Sequence, residues 1–254
     1  MKEALSTYLD LCTQVYDLSK PTPPPDAYVF YHTYASAAKG PILEPMCGTG
    51  RFLLPLVEDG FDVYGLDASS HMLQALRDKA RARNLERKVW QSFLEDLNRP
   101  DKFGLVLIPS GSFGLIVDRA KARDALVRIY DHLRDDGLLV FEADTPFGAP
   151  APTGIWKGSV WPTNDGKTIV CNYLNLPSQD NVSTTLWRYE LIDGAQIVRT
   201  EIEIMKVRQY TPAHLTSMLI EAGFKNTVAF KAFDRTKCSG ESDEVIVYEC
   251  RKGD

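Results

Sequence analysis

Two glycines one residue apart, Gly48 and Gly50, sit between acids: Glu44 comes before them and Asp67 follows Gly48 by 19 residues. Glycines at such a turn remove the side chains that would keep a ligand off the backbone. The helix that follows begins with N–H groups that have no partner inside the helix. A carboxylate at the end of the next strand can accept hydrogen bonds from two ribose hydroxyls. The surroundings agree. Apolar Pro41-Ile42-Leu43 leads into Glu44-Pro45-Met46-Cys47-Gly48-Thr49-Gly50-Arg51, a helical pattern Phe52 to Val57 leads out, and a largely apolar stretch from Phe61 to Leu66 ends on Asp67. Strand, glycine turn, helix, strand and acid, with the acid about 20 residues on, is how an α/β sheet holds an adenosine-bearing cofactor.

The turn discriminates among such cofactors. A dinucleotide turn reads G-x-G-x-x-G, and its third glycine lets the helix pack closely on the strand. Counted from Gly48 that place is Leu53, which disfavours NAD and FAD. The segment instead resembles motif I of the class I S-adenosylmethionine-dependent methyltransferases, where an acid precedes a C-G-T-G or G-x-G turn; here these are Glu44 and Cys47-Gly48-Thr49-Gly50. Asp67, within Val63-Tyr64-Gly65-Leu66-Asp67-Ala68-Ser69, matches that family's ribose acid. Glu95-Asp96 match its adenine-contacting acids. Leu105 to Ser110 matches the strand beneath the methyl-transfer site, and Leu133 to Val140 its helix-to-fifth-strand passage. The resemblance is strong over 40–145, weaker over 205–250, and closest to bacterial small-molecule methyltransferases.

The resemblance implies S-adenosyl-L-methionine as cofactor and S-adenosyl-L-homocysteine as product; no metal is expected, since the scattered cysteines form no C-x-x-C. It implies cofactor contacts from Glu44, Met46, Cys47, Gly48, Thr49, Gly50 and Arg51 in the turn. Further contacts are implied at Asp67, Ala68 and Met72, at Glu95 and Asp96, and at Pro109 and Ser110. Among the aromatics before the first strand, Tyr16 and Tyr31 are the candidates for a cofactor or substrate contact, and the others read as packing. One departure stands out: the family's first motif glycine falls on Met46, whose side chain alters how closely the backbone approaches a ligand.

Methyl transfer from a sulfonium is an in-line displacement in which the protein must align the nucleophile and exclude water. A general base helps only when the nucleophile arrives protonated, so no single catalytic residue is required. The candidates are His32 and Asp144, with His214 behind them. Each has a bland alternative: a packed or surface histidine for His32, a loop or cap carboxylate for Asp144, a solvated first-turn residue for His214. Cys47 reads as a small packing residue. Arg51 suits a methionine carboxylate or an acidic acceptor, or a plain surface charge. The family's D/N-P-P-Y motif for amino groups in nucleic acids or glutamine is absent; Ile108-Pro109-Ser110-Gly111-Ser112-Phe113 stands in its place. A small-molecule methyl acceptor is therefore expected. Two other readings compete: a non-catalytic S-adenosylmethionine-binding or interaction protein, and an NAD-dependent oxidoreductase.

The elements that must position these residues follow from periodicity. A helix is expected over 3–18, with Leu5, Tyr8, Leu9, Cys12 and Tyr16 at helical spacing, and prolines from Pro21 to Pro25 end it. A second helix runs from Asp26 to about Lys39. Strands at 41–45, 61–66, 88–93, 104–109 and 138–143 alternate with helices after Gly50, after Ser69 or Ser70, and after Asp118, which argues for a parallel sheet covered on both faces. Proline and glycine mark a linker from Thr145 to Gly154. Strands over 169–176, 183–191 and 196–208 then read as a small antiparallel sheet, with a hairpin at Ile192-Asp193-Gly194-Ala195. Thr211-Pro212 starts a last helix, and strands at 226–232 and 244–250 close the chain. The expected fold is α/β: a Rossmann-like, doubly wound, seven-stranded, mostly parallel sheet with an antiparallel last strand, plus the inserted antiparallel sheet. The division is an N-terminal helical cap over 1–40, a methyltransferase core over 41–150 and 206–254, and the insertion over 151–205, a lid or a dimer surface.

Composition excludes other classes. The 254 residues carry 29 Lys+Arg against 34 Asp+Glu, a net charge of −5, which argues against a nucleic-acid partner. At 44% hydrophobic and 25% charged the chain is an ordinary globule. No apolar run approaches the ~18 residues of a membrane span, and Met1 to Ser6 does not read as a signal peptide. Five scattered cysteines without C-x-x-C suit a reducing cytoplasm. Monomer and homodimer both remain open.

Overall fold

The structure, a computed structural model, describes residues 5–240 and 242–253. Two helices come first, α1 (Asp10–Ser19) and α2 (Pro25–Ala37). Strands and helices then alternate: β1 (Ile42–Pro45), α3 (Leu53–Glu58), β2 (Val63–Asp67), α4 (Ser70–Ala82), β3 (Lys88–Gln91), β4 (Phe103–Ile108), α5 (Arg119–His132) and β5 (Leu133–Asp144). Four strands follow, β6 (Lys157–Pro162), β7 (Thr168–Gln179), β8 (Val182–Asp193) and β9 (Gln196–Arg208). The chain closes with α6 (Pro212–Glu221), β10 (Asn226–Lys231) and β11 (Val245–Arg251).

The main sheet has the order β10-β11-β5-β4-β1-β2-β3. From β3 to β5 every pairing is parallel. β11 runs antiparallel to both of its neighbours, β5 and β10. This is the expected seven-stranded sheet, and its reversed strand separates it from a dinucleotide-binding sheet, which ends in a parallel strand. Both faces are covered. Ile42, Leu105, Leu107 and Val140 face α2, α3 and α4, while Leu43, Val106, Ile108 and Phe141 face α5 and α6. Each such side chain, fully buried, contributes roughly 1.5–3 kcal/mol. Side-chain caps set three helix starts: Ser69 accepts from the Met72 amide, Asp118 from those of Ala120 and Lys121, and Thr211 from that of His214.

The structure departs most from the sequence reading in three places. The first helix starts at Asp10, not near residue 3, and residues 3 and 4 lie outside the described residues. Leu5 to Leu9 is not helical, and Tyr8 has φ +55°. The cause is an acceptor from far along the chain: Glu203 accepts from the amides of Tyr8 and Leu9, both at 2.8 Å, and Glu201 from that of Leu11 at 2.8 Å. Two carboxylates on β9 thus do the work of an N-cap. β5 begins at Leu133 rather than 138, because Leu133 already pairs with Phe103 before a register shift. Strand β6 lies beyond the expected three; it is an almost wholly exposed edge strand, so no hydrophobic alternation announces it.

β6 to β9 form a separate antiparallel sheet in sequence order. Its inner face packs Ile169, Cys171 and Tyr189 against Leu11, Cys12 and Val15 of α1. β9 alternates between apolar and acidic residues over 201–204, but with the usual sides reversed. Glu201 and Glu203 are buried, and Ile202 and Ile204 are exposed.

Candidate active site

The carboxyl ends of β1, β2 and β4 open on a cavity of about 280 Å³, where a doubly wound sheet places its ligand. Asp67, the last residue of β2, is one wall. Its Oδ2 accepts from the Gly48 amide at 2.8 Å and its Oδ1 from the Ser69 amide at 2.8 Å. Burial pushes its pKa up against those two hydrogen bonds. Gly48 has φ +54°, and a Cβ there would meet nothing nearer than the Met72 sulfur at 4.0 Å, so the backbone is bare toward the cavity. Met46 sits at φ +60°. It therefore holds a left-handed backbone that the family's motif gives to a glycine, at a cost of about 1–2 kcal/mol, and its side chain lines the cavity.

The turn also explains how the chain tolerates Leu53. A Cβ on Gly65 of β2 would fall 2.5 Å from Leu53 Cδ1 and 2.9 Å from Cys47 Sγ. The room that a glycine on the helix would give comes instead from Gly65 on the facing strand, and α3 packs closely on the sheet. Gly50 has φ +79° and packs against Leu54 and Leu76. Thr49 turns away from the cavity and donates to Asp17 Oδ1 at 2.5 Å, which also pairs with Lys79 at 2.7 Å.

Beside the turn lie two buried polar atoms without hydrogen-bond partners among the described residues, Glu44 Oε2 and Arg51 Nε. Burial raises the Glu44 pKa to about 8, with Arg51 pulling the other way. Arg51 donates to Ser110 Oγ at 2.6 Å and stands 5.8 Å from the centre of the Tyr16 ring. At the far end Glu95 lines the cavity and pairs with Lys121 at 3.5 Å. Asp96 is its neighbour on the short helix Leu94–Asp96 but is not among the lining residues. Phe93, Leu94, Leu115 and Ile116 supply apolar walls.

The structure brings Tyr16, Met46, Gly48, Asp67, Ala68, Met72 and Glu95 together around one cavity. Other expected residues stand behind it. Tyr31 is fully buried and donates to Glu142 Oε1 at 2.8 Å, and the same oxygen accepts from the Ser110 amide at 2.8 Å. Tyr31 thus supports the Pro109-Ser110-Gly111 turn, where Ser110 has φ +62°, rather than lining the cavity. His32 is a correction. It lies on the outer side of α2, 3.4 Å from Asp59 and edge-on to Phe61, because helical spacing turns it away from the neighbour that faces the core. Asp144 ends β5 beside the same turn: a Cβ on Gly111 would lie 3.0 Å from its Oδ1. Its carboxylate takes no hydrogen bond from the described residues, and burial raises its pKa.

Sequence reasoning missed the N-terminal wall. Leu5, Thr7 and Tyr8 line the cavity, and the Tyr8 carbonyl accepts from Ser69 Oγ at 2.7 Å. Ser69 therefore caps α4 and ties down this segment with one hydroxyl. Ser112 and Lys121 were missed as well; the only available signal was that Gly111 to Leu115 fits neither periodicity.

These residues fit a nucleoside joined to an amino acid. Asp67 and bare Gly48 suit a ribose, Glu95 and its apolar neighbours an adenine, and the orphaned Glu44 and Arg51 atoms an ammonium and a carboxylate. Fold and site together define an S-adenosylmethionine-dependent enzyme of class I. Comparison with known proteins gives the same result. The family described as methyltransferase domain matches residues 42–137. A protein of Geobacillus sp. (strain WCH70), whose name marks its methyltransferase activity as provisional, is 27% identical over 215 residues, covering 83% of this chain and 84% of that one. Glycine N-methyltransferase of Rattus norvegicus is 32% identical over 114 residues, 40% of this chain and 39% of its own. The sugar N-methyltransferase KedS8 from Streptoalloteichus sp ATCC 53650 shares the fold, with a TM-score of 0.78 at 19% identity over 100% of this chain and 98% of its own. The protein is a class I S-adenosylmethionine-dependent methyltransferase. The oxidoreductase and non-catalytic readings are set aside.

Proposed function

We propose that this methyltransferase acts on the nitrogen of a small amine, in the cytoplasm. The observation that carries the reading is Asp144, a half-buried carboxylate at the ligand edge of β5 whose hydrogen-bonding capacity is unused by the described residues and whose pKa is raised by burial. An amine arrives as an ammonium at neutral pH and must lose a proton before it can attack. A carboxylate held above its ordinary range can both counter that charge and take the proton. Bound S-adenosylmethionine supplies the activated methyl group; the chain aligns the amine and excludes water. Glu142, with Tyr31, holds the turn over which the acceptor would sit. Support also comes from the names of the rat and Streptoalloteichus proteins, both N-methyltransferases. For the compartment, five free cysteines suit reducing conditions.

The three-part division stands as our reading too: a cap over 1–40, a core over 41–150 and 206–254, and an insertion over 151–205. The order of α1, α2 and β6–β9 supports it, with β9 running on to Arg208.

The test is radiolabelled methyl transfer to matched amines and alcohols, with mass analysis of the product. Label should enter amines only. Asp144→Asn should lower turnover by about 10²-fold while leaving S-adenosylhomocysteine affinity nearly unchanged. Transfer to the alcohols alone would overturn the nitrogen assignment.

A further inference from the structure

A second cavity, about 280 Å³ and so as large as the one at the cofactor turn, opens on the opposite edge of the main sheet. Its walls are the end of α2 with Lys39, the first residues of β4 and β5, the loop between β10 and β11, and the end of β11. Glu249 of β11 organises it. This buried carboxylate accepts from the Tyr34 hydroxyl at 2.8 Å, from Arg235 Nη2 at 2.6 Å and from Arg251 Nη2 at 3.3 Å. Arg235 also lies over the Tyr34 ring, 5.4 Å from its centre. Two guanidinium groups from separate segments are thereby fixed in place, and both line the cavity.

We propose that this cavity binds a small phosphate monoester. One carboxylate balances only one of the two arginines, so the Glu249 cluster carries a surplus positive charge. Lys39 is held loosely by Asp136, at 3.7 Å with both side chains mostly exposed, and can turn to a ligand. Arg134 stands close by, its Nη1 2.6 Å from where a Cβ on Gly40 would lie. The chain as a whole carries a net charge of −5, so this gathering of cations stands out from the rest of its surface. Each guanidinium offers five N–H donors in a planar fork that matches phosphate oxygens, and Glu249 takes only some of them. A phosphate monoester brings about 1.5–2 negative charges at neutral pH, which suits two arginines and a lysine better than the single charge of a carboxylate. Apolar Ala37, Leu105 and Leu138 line the rest of the cavity and leave room for the carbon skeleton of an ester. The site lies at the amino ends of β4 and β5, away from the cofactor, and stands apart from the proposed acceptor.

Calorimetric titration of the full chain at low salt tests it, with S-adenosylhomocysteine saturating the other cavity. Glycerol 3-phosphate should bind once per chain, at least tenfold more tightly than acetate and more tightly than inorganic phosphate. Lys39→Glu, a change at an exposed residue that leaves Glu249 untouched, should weaken that binding at least tenfold. Joint substitution Arg235→Gln and Arg251→Gln should abolish it, while S-adenosylhomocysteine affinity and circular dichroism stay as in the parent chain. No saturable heat, inorganic phosphate binding as tightly as its ester, or an ester affinity that survives these substitutions would overturn the proposal.

Discussion

The two sheets obey opposite rules of burial. In the seven-stranded sheet, hydropathy and burial agree: β4 is apolar and buried along its whole length, and the polar atoms left over gather at the strands' carboxyl ends. In the four-stranded sheet they disagree, with Glu203 at 1% exposure and Ile202 at 60% on neighbouring positions of one strand. Each buried carboxylate there accepts from backbone amides of the N-terminal segment, and that segment is a wall of the cofactor cavity. A core sheet can be specified by its own residues. An inserted sheet that works for another part of the molecule carries polar residues where the core would have leucine.

The contrast can be broken at either end, most strongly in the core. Asp67→Ala removes a carboxylate suited to two hydroxyls, and at about 1.5–3 kcal/mol per charged hydrogen bond the affinity for S-adenosylhomocysteine should fall by roughly 100-fold or more. Calorimetric titration reads this, with circular dichroism unchanged; undiminished affinity would remove Asp67 from the site.

Next in size is a pH effect centred on Glu44. Its folded pKa, about 8, lies above the ordinary 4.5. The free protein therefore binds an extra proton relative to the unfolded chain across that window and loses stability as pH rises through it. A ligand ammonium beside Glu44 favours the carboxylate, so binding should release a proton below pH 8. Affinity should then rise by up to about tenfold per pH unit toward that value. Equal heats in buffers of different ionisation enthalpy would contradict it.

A smaller effect is expected from the insertion. Glu203→Ala leaves the Tyr8 and Leu9 amides without their acceptor, and cofactor affinity should drop by about 5–10-fold. Proteolysis between residues 5 and 9 should quicken while the main sheet keeps its melting behaviour. No change in either would uncouple the insertion from the site. The smallest effect belongs to His32→Ala, where kcat/KM should stay within about twofold, as for surface positions generally.

Much of the core was legible because its signals are local. The acid at Asp67, the bare Gly48 and the caps at Ser69, Asp118 and Thr211 each depend on a few neighbouring residues, and each lies where its spacing predicts. The misses share a different cause. Nothing within Leu5 to Leu9 reveals that its helical spacing will be overruled by Glu203. Leu53 looks like a defect in a nucleotide turn until Gly65 is seen across from it. Helical spacing puts Tyr31 and His32 side by side, yet only packing decides that one supports Ser110 and the other meets solvent.

The tie between Tyr8 and Glu203 spans 195 residues, and that distance orders events in time. During synthesis the N-terminal segment emerges first, and its acceptor emerges only 195 residues later. The cavity's outer wall can therefore be set only after the insertion has formed its hairpins, since contacts so far apart in sequence close late. Pulse-labelled hydrogen exchange during refolding should show the Tyr8 and Leu9 amides protected after those of β4. The cofactor pocket would then be the last part of this molecule to mature, and an incomplete chain would have no closed pocket to fill.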